Sequence, residues 1–175
     1  VAEGGMGIVY RAHDPQLARM VAIKVLRPSM VGSEQSRLRF VREARAAAAV
    51  VHEHVVAIHA VGEHRGLPFL VMSFIGGQSL EKRIASSQLS LIELLRVGAQ
   101  TARGLAAAHA QGLIHRDVKP GNILLENSVE RVKLVDFGLA RAIEDTSLTQ
   151  LGVVAGTPEY MAPEQVKGEA ISAGV

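Results

Sequence analysis

The sequence predicts an α+β fold in two parts: a small antiparallel β-sheet lobe with one helix at residues 1–75, and a mostly helical large lobe at residues 76–175. Two observations carry this prediction. Before Gly76, short β-branched runs alternate with glycine turns, which is typical of strands. After Gly77, apolar residues recur at helical spacing. Because 48% of the 175 residues are hydrophobic, the chain has enough apolar material for a core.

Four strands are predicted in the small lobe, at residues 1–10, 20–27, 55–61 and 69–74. The second is the clearest, because the run from Val21 to Leu26 is β-branched and ends before Pro28. Glycines should turn the chain between strands, and Gly62 with residues 66–68 is expected to separate the last two.

One helix is predicted between the second and third strands. Ser33 can cap its first turn, and the helical pattern continues to about Val51. Along it, Leu38, Val41, Arg45 and Ala48 recur at helical spacing.

The large lobe is predicted to begin with a long, buried helix. Ser90 and Glu93 have the spacing of a capping box, and Gly112 can end the helix. Its apolar stripe is expected to comprise Leu91, Leu94, Leu95, Gly98, Ala102, Leu105, Ala106 and His109. Short strands are predicted at residues 113–114, 123–125 and 132–135, so that the polar residues between them lie at turns.

Composition excludes several classes of function. The net charge is only +2 with charges of both signs mixed along the chain, so no nucleic-acid-binding face is predicted. Without cysteine there is no disulfide or thiolate metal site, and a reducing cytoplasm is the expected location. The seven histidines, among them His52, His54 and His59, match no compact metal-ligand spacing.

Two features of the chain's ends and hydropathy are also informative. No apolar run approaches the ~20 residues that span a bilayer, so no membrane segment is expected here, although a parent protein could be anchored elsewhere. The chain begins at Val1 without an initiator Met and stops at Val175 in mid-pattern. We therefore expect it to be a fragment of a longer protein.

The most informative segment is His115 to Asn122, which places three chemically useful side chains on one short turn. Asp117 could accept a proton from an attacking hydroxyl, Lys119 could neutralise a phosphate oxygen, and the amide oxygen of Asn122 could coordinate Mg²⁺. This combination favours phosphoryl transfer. His115 is better interpreted as a packed, hydrogen-bonded scaffold residue than as a base.

A glycine-rich segment near the N-terminus offers a second candidate site. Gly4, Gly5 and Gly7 would let backbone N–H groups approach phosphates, although a simple turn is the alternative. Lys24 on the next strand could reach the α- and β-phosphates, and Ala22 offers a small flat surface to a purine. A solvated edge lysine is the alternative for Lys24.

Two carboxylates complete the candidate set. Glu43, on the predicted helix, could pair with Lys24 and hold its ammonium in place, but an exposed helix Glu would look the same in the sequence. Asp136, in Asp136-Phe137-Gly138, is a second candidate ligand for Mg²⁺, and an ordinary turn Asp is the alternative.

Taken in order, these residues resemble a eukaryotic-type protein kinase of the serine/threonine class that bacteria also carry, truncated at both ends. The segments that carry the resemblance are residues 3–10, Lys24, Glu43, residues 115–122, Asp136-Phe137-Gly138 and residues 156–164. The resemblance implies a bilobal protein-kinase-like fold whose large lobe is incomplete in this chain, with ATP and Mg²⁺ as cofactors. Ala2 departs from the family pattern, which has its first loop glycine there, and Ser73 stands where a Glu is usual.

The resemblance also implies how the nucleotide is held. Met72 would be the gatekeeper, with the backbone of Ser73 and Ile75 facing the adenine base. The adenine ring would be sandwiched by Val9, Ala22 and Leu124. Asn122 and Asp136 would be the metal ligands.

Regulation is implied by the residues around the activation loop. Arg116 precedes the catalytic Asp, which in this family implies control by a phosphorylated loop between residues 139 and 160. Thr149 is the first candidate phosphosite, with Ser147 or Thr146 second. Thr157 and Lys119 are similar to serine/threonine kinases rather than tyrosine kinases, so Ser or Thr acceptors on protein substrates are expected, with dimerisation for autophosphorylation in trans compatible with this scheme.

Three functions remain open on the sequence. The first is a protein serine/threonine kinase. The second is a catalytically inactive ATP-binding fragment or pseudokinase-like signalling module, which truncation makes plausible for this chain. The third is a small-molecule kinase of the aminoglycoside or choline type, against which the segment at residues 156–164 speaks, because it resembles one that presents a protein substrate.

Overall fold

A five-stranded antiparallel sheet forms the first part of the chain. In the computed structural model the described residues are 2–4, 7–28, 33–127, 131–137, 158–169 and 171–172, with the backbone alone described at 2–4 and 158. The strands are β1 (Ala2–Gly4), β2 (Gly7–Asp14), β3 (Arg19–Leu26), β4 (Ile58–His64) and β5 (Leu67–Ser73). They pair in the order β1-β2-β3-β5-β4, so β3 and β5 lie in the interior of the sheet.

The third predicted strand begins later than expected. Val55 forms an isolated parallel bridge to Leu134, and the Val56 N–H donates to the Leu134 carbonyl at 2.9 Å, so these two residues leave the first sheet for the second part of the chain. Gly62 lies within β4, paired with Phe69 of β5, rather than in a turn. A glycine is needed there because a Cβ would stand only 2.6 Å from the Phe69 ring.

The helix α1 (Glu34–Ala49) packs on this sheet through one face. Ser33 caps it as expected, its side chain accepting a hydrogen bond from the Ser36 N–H at 3.1 Å. Of the residues singled out at helical spacing, Leu38 is 65% exposed and Arg45 and Ala48 are exposed as well, whereas Val41 packs against the core. The buried residues are Phe40, Ala44 and Ala47, because the large ring of Phe40 is the side chain that fills the space beside Leu26 and Leu70.

The second part of the described chain combines a small sheet with helices. Its three strands pair in the order β6 (Gly77–Ser79), β7 (Ile123–Glu126) and β8 (Arg131–Leu134), all antiparallel. Its helices are α2 (Leu80–Ser86), α3 (Leu91–His109) and α4 (Pro163–Lys167). The predicted strand at residues 113–114 is not formed, and β6 and α2 were not predicted. Over the described ranges, no helix combines the length and apolarity needed to cross a bilayer.

The long helix α3 has the predicted cap but not the predicted buried face. Ser90 and Glu93 form the full capping box. Most of the expected stripe points outward, with Leu91 at 71% and Leu95 at 65% exposure, so the prediction is wrong for these residues, whereas Leu105 packs against the core. The helix instead buries Val97, Gly104 and Ala108, because a glycine at 104 allows close approach to β8; a Cβ there would lie 2.8 Å from a methyl group of Leu134.

Candidate functional site

The turn from Asp117 to Asn122 brings together the three side chains predicted for catalysis. Pro120–Asn122 forms a 3-10 turn that the Asn122 N–H closes onto the Lys119 carbonyl at 2.9 Å. Lys119 Nζ lies 2.9 Å from Asp117 Oδ2, and Asn122 Nδ2 donates to the same oxygen at 2.8 Å. The sequence prediction that these residues share one site is therefore supported by their distances, although their chemical roles remain predictions.

The two oxygens of the Asp117 carboxylate are used differently. Oδ2 accepts from Asn122 and pairs with Lys119, and Asn122 Nδ2 also donates to the Asp117 backbone carbonyl at 2.8 Å. Within the described ranges, no hydrogen bond to Oδ1 is present. Oδ1 is thus the oxygen that could accept a proton from a substrate hydroxyl, while Oδ2 holds the carboxylate in place.

Asn122 is oriented by the same hydrogen bonds. Its Nδ2 is committed to Asp117, which leaves Oδ1 as the coordinating atom, and its backbone carbonyl accepts the Val135 N–H at 3.1 Å. That bond holds the turn beside Asp136. An amide oxygen and a carboxylate are hard ligands that suit Mg²⁺, which commonly takes one or two protein ligands and completes its shell with phosphate oxygens and water. The residues present therefore fit a magnesium ion.

Lys24 lies against Asp136 rather than against its predicted partner. Its ammonium is 2.8 Å from Asp136 Oδ1, and the residue is only 4% exposed. Among the described residues the predicted ion pair between Lys24 and Glu43 is not formed. The physical reason is that an ammonium buried to this degree needs a carboxylate in direct contact, and Asp136 is the one that reaches it.

His115 ties the two halves of the site together. It is 1% exposed, its Nε2 lies 3.0 Å from the Val135 carbonyl, and the Asp117 N–H donates to its Nδ1 at 3.4 Å. A carbonyl can only accept, so the proton is on Nε2 and the ring is neutral. Burial lowers the pKa of His115, which keeps it in this form despite the nearby carboxylates of Asp117 and Asp136. These contacts agree with the interpretation of His115 as a scaffold residue.

Arg116 is held in an unusual backbone conformation with part of its side chain buried. Its φ angle is 65°, in the left-handed region that non-glycine residues rarely adopt. Its Nε is buried and has no hydrogen-bond partner among the described residues. The carbonyl of Arg116 accepts from Gln165 Nε2 at 2.8 Å. Sequence reasoning did not single out Gln165; its place three residues after Ala162, at the start of a helix, was the available signal.

The residues predicted to hold a nucleotide base occur on adjoining strands. Ala22 pairs directly with Met72 across β3 and β5, and Val9 pairs with Lys24 across β2 and β3. The Ser73 N–H donates to the Ala57 carbonyl at 2.9 Å. Any contact of the Ser73 backbone with a base would therefore use its carbonyl oxygen. Leu124 lies on β7 and Ile75 lies two residues after the end of β5, and their predicted contacts with a base stay predictions.

A small, partly open pocket adjoins part of this site. It is lined by Ala47, Val55, Val56, Ile58, Leu70, Met72, Asp136 and Phe137. It therefore shares Met72 and Asp136 with the predicted site but none of the three residues predicted to sandwich the adenine ring.

The glycine-rich segment is only partly described. Gly7 is buried in β2, where a Cβ would stand 2.2 Å from the Val25 carbonyl oxygen, so strand pairing itself requires a glycine there. Gly4 ends β1, and Gly5 lies outside the described residues, as do the predicted regulatory residues Thr146, Ser147, Thr149 and Thr157.

Comparison with known proteins places this arrangement in context. The protein kinase domain family matches residues 1–175. The chain is 43% identical over 177 residues to the probable serine/threonine-protein kinase pknA2 of Bifidobacterium longum, covering 99% of this chain and 23% of that protein. It is 42% identical over 169 residues to the serine/threonine-protein kinase PknJ of Mycobacterium tuberculosis, covering 95% of this chain and 29% of that protein.

A solved structure shows the same likeness. The crystal structure of the Mycobacterium tuberculosis PknI kinase domain matches with a TM-score of 0.79 and 31% sequence identity, over 99% of this chain and 65% of that one. The chain thus spans less than a third of these two curated relatives and about two thirds of the solved domain.

Proposed function

The chain belongs to the protein kinase domain family, and from this premise we propose that the complete protein is a serine/threonine protein kinase. It would transfer the γ-phosphoryl group of Mg-ATP to Ser or Thr hydroxyls of protein substrates. The observation that carries the proposal is the cluster in which Lys119 Nζ and Asn122 Nδ2 each lie within 2.9 Å of Asp117 Oδ2. The Asn122 carbonyl accepts the N–H of Val135, the residue before Asp136.

The chain's own residues supply orientation and charge for this reaction. Asp117 would accept the proton of the acceptor hydroxyl at Oδ1 while Oδ2 stays bonded to Asn122 and Lys119. Lys119, beside the base, would stabilise the charge on the transferred phosphoryl group. Two contacts therefore fix the carboxylate before the substrate arrives, which is how positioning lowers the barrier.

The nucleotide would bind between the five-stranded sheet and the three-stranded sheet, in line with a small lobe at residues 1–75 and a large lobe from residue 76. Lys24 would bind the α- and β-phosphates, and the predicted adenine contacts would come from Val9, Ala22, Met72 and Leu124 with the Ser73 and Ile75 backbones. Asn122 and Asp136 would hold Mg²⁺, which when bound neutralises charge on the phosphate oxygens. Because Lys24 already contacts Asp136, both groups face the same space.

We propose that Arg116 links the site to phosphorylation of the activation loop. Its buried Nε, without a partner in the described part of the chain, is a donor suited to a phosphate. Thr149 is the first candidate acceptor, followed by Ser147 and Thr146, and transfer between two copies of the chain would place the phosphate. Mass spectrometry after incubation of the complete protein with Mg-ATP should find phosphate within residues 139–160; its absence there would contradict this part of the proposal.

The central experiment measures transfer of labelled phosphate from ATP to a generic basic protein by the complete protein. Asp117→Asn and Lys24→Met should each abolish labelling, because one removes the base and the other the phosphate contact. Asp14→Asn makes the same chemical change as the first variant in the hairpin between β2 and β3, and it should retain activity. Full activity of either site variant would show that these roles are wrongly assigned.

The pairing of Lys24 with Asp136 favours the alternative of an inactive nucleotide-binding module, because each group is then bonded to the other and not to phosphate or Mg²⁺. The two functions differ in a simple measurement. A shift of the thermal unfolding midpoint on adding Mg-ATP, without labelling of any protein, would favour the module, whereas labelling that depends on Asp117 would exclude it.

A further inference from the structure

Gln165 connects the short helix α4 to the turn that carries the catalytic carboxylate. Its Oε1 accepts the Ala162 N–H at 3.1 Å, and its Nε2 donates to the Arg116 carbonyl at 2.8 Å. Since a backbone N–H only donates and a carbonyl only accepts, these partners determine which way the amide points. One side chain therefore makes two separate bonds, one within its own helix and one to a residue 49 positions earlier.

The bond to Arg116 acts on the peptide group that joins Arg116 to Asp117. The oxygen of that peptide accepts from Gln165, and its N–H, which belongs to Asp117, donates to His115 Nδ1. The peptide plane is thus held from both sides. Because Arg116 has a φ of 65°, the orientation of this peptide is not one that the backbone prefers, and it depends on such contacts.

The same chain of bonds continues to the second strand of the site. His115 Nε2 donates to the Val135 carbonyl at 3.0 Å, one residue before Asp136. Gln165, the Arg116–Asp117 peptide, His115 and Val135 are therefore linked in sequence. A displacement of α4 would therefore first change the orientation of the Arg116–Asp117 peptide, to which Gln165 is directly bonded.

We propose that Gln165 is a positioning residue for phosphoryl transfer: its Nε2 fixes the Arg116–Asp117 peptide, and so the direction of the Asp117 carboxylate, according to where α4 lies. The inference rests on the proposed kinase function. The two ends of the Gln165 amide have different roles: Oε1 stabilises the start of α4, and Nε2 orients the turn that carries Asp117.

Two substitutions separate these ends. Gln165→Glu keeps an acceptor for the Ala162 N–H but places a second acceptor against the Arg116 carbonyl. Gln165→Lys keeps a donor for that carbonyl and loses the acceptor. Gln88→Glu, at an exposed position before α3, is the matched control for the change of charge. If Gln165→Glu does not fold, Gln165→Met, which has neither end, replaces it.

The measurements are kcat and KM for ATP in the complete protein, with the thermal unfolding midpoint. We expect Gln165→Glu to lower kcat about tenfold with KM for ATP unchanged, since a single misdirected hydrogen bond has an effect of this order. Gln165→Lys should keep kcat within about twofold and lower the midpoint instead. The proposal would be overturned if kcat were unchanged in Gln165→Glu, or if kcat fell only in Gln165→Lys, the variant that loses the acceptor.

A second readout does not depend on activity. Hydrogen exchange of the Asp117 backbone amide, followed by NMR, should be about tenfold faster in Gln165→Glu than in wild type, because a loosened peptide opens more often. It should be unchanged in Gln88→Glu. If the wild-type protein transfers no phosphate, the proposed function fails, and the exchange rates alone decide the inference: equal rates in wild type and Gln165→Glu overturn it.

Discussion

Replacing His115 by Phe tests the hydrogen bonds at the centre of the site. The variant keeps an aromatic ring next to Phe137, whose ring centroid lies 4.4 Å from that of His115. It removes the bond to the Val135 carbonyl and the longer bond from the Asp117 N–H. Since it leaves a carbonyl in this buried region without its donor, we expect the free energy of unfolding to fall by about 2 kcal/mol at pH 8.

The difference between the two proteins should shrink at low pH. Burial lowers the pKa of His115, so the folded protein takes up this proton only at a lower pH than the unfolded chain, in which an imidazole titrates near 6.5. The free energy of unfolding of the wild type therefore decreases as the pH falls below 6.5. The Phe variant lacks this imidazole, so protonation at residue 115 does not lower its free energy of unfolding. Between pH 8 and pH 5.5 the gap should narrow by as much as about 1.4 kcal/mol, the value for one proton over one pH unit.

Urea unfolding of wild type and variant at both pH values measures this gap directly. His64→Phe, at an exposed histidine on β4, is the matched control and should change the free energy of unfolding by less than about 0.5 kcal/mol at either pH. A gap that stays constant or widens at pH 5.5 would refute the conclusion that His115 is buried and neutral.

Three further substitutions test the packing of the sheets and helix α1 and the proposed role of Lys24. Gly77→Ala should lower the free energy of unfolding by about 1–3 kcal/mol, because its Cβ would stand 2.0 Å from the Leu125 carbonyl oxygen. Gly76→Ala is the control and should be nearly neutral, since its Cβ would meet nothing within 4 Å. Equal effects of the two substitutions would contradict the pairing of β6 with β7. In chemical unfolding, Phe40→Ala should lower the free energy of unfolding by about 3–5 kcal/mol, whereas Leu38→Ala, at an exposed position, should lower it by less than about 1 kcal/mol. The reverse order would contradict the burial of Phe40 on α1. Lys24→Arg should lose transfer activity nearly as fully as Lys24→Met, because a planar guanidinium cannot replace a compact ammonium in this 4% exposed position; wild-type rates for the Arg variant would show that charge alone suffices.

Local sequence signals predicted the helix ends well. Ser33 and Ser90 cap α1 and α3 as expected, and Gly112 ends α3 with a φ of 71°. These features depend on a few neighbouring residues, so the local pattern is sufficient to find them. The turn that carries Asp117 and Asn122 belongs to the same class, because the two residues are close in sequence as well as in space.

Buried faces and long-range partners were harder to predict. On α3 an apolar stripe containing Leu91 and Leu95 was expected to be buried, yet the helix packs through Gly104 because a small residue allows the closest approach to β8. Lys24 was expected to pair with Glu43 and instead contacts Asp136, which follows the last strand of the other sheet. Each outcome depends on which surfaces meet, and periodicity along one element contains no information about its partner.

The sequence by itself determined the residue types of the site, their order and the family to which the chain belongs, because these depend on side-chain chemistry at short spacings. Only the tertiary structure decided how those residues are held. The neutral ring of His115 between Asp117 and Val135, the buried contact of Lys24 with Asp136, and the bond from Gln165 to the Arg116 carbonyl all join distant segments. Such contacts exist only after the strands and helices have packed, since packing is what brings donors and acceptors far apart in the chain to within 3 Å or so of each other.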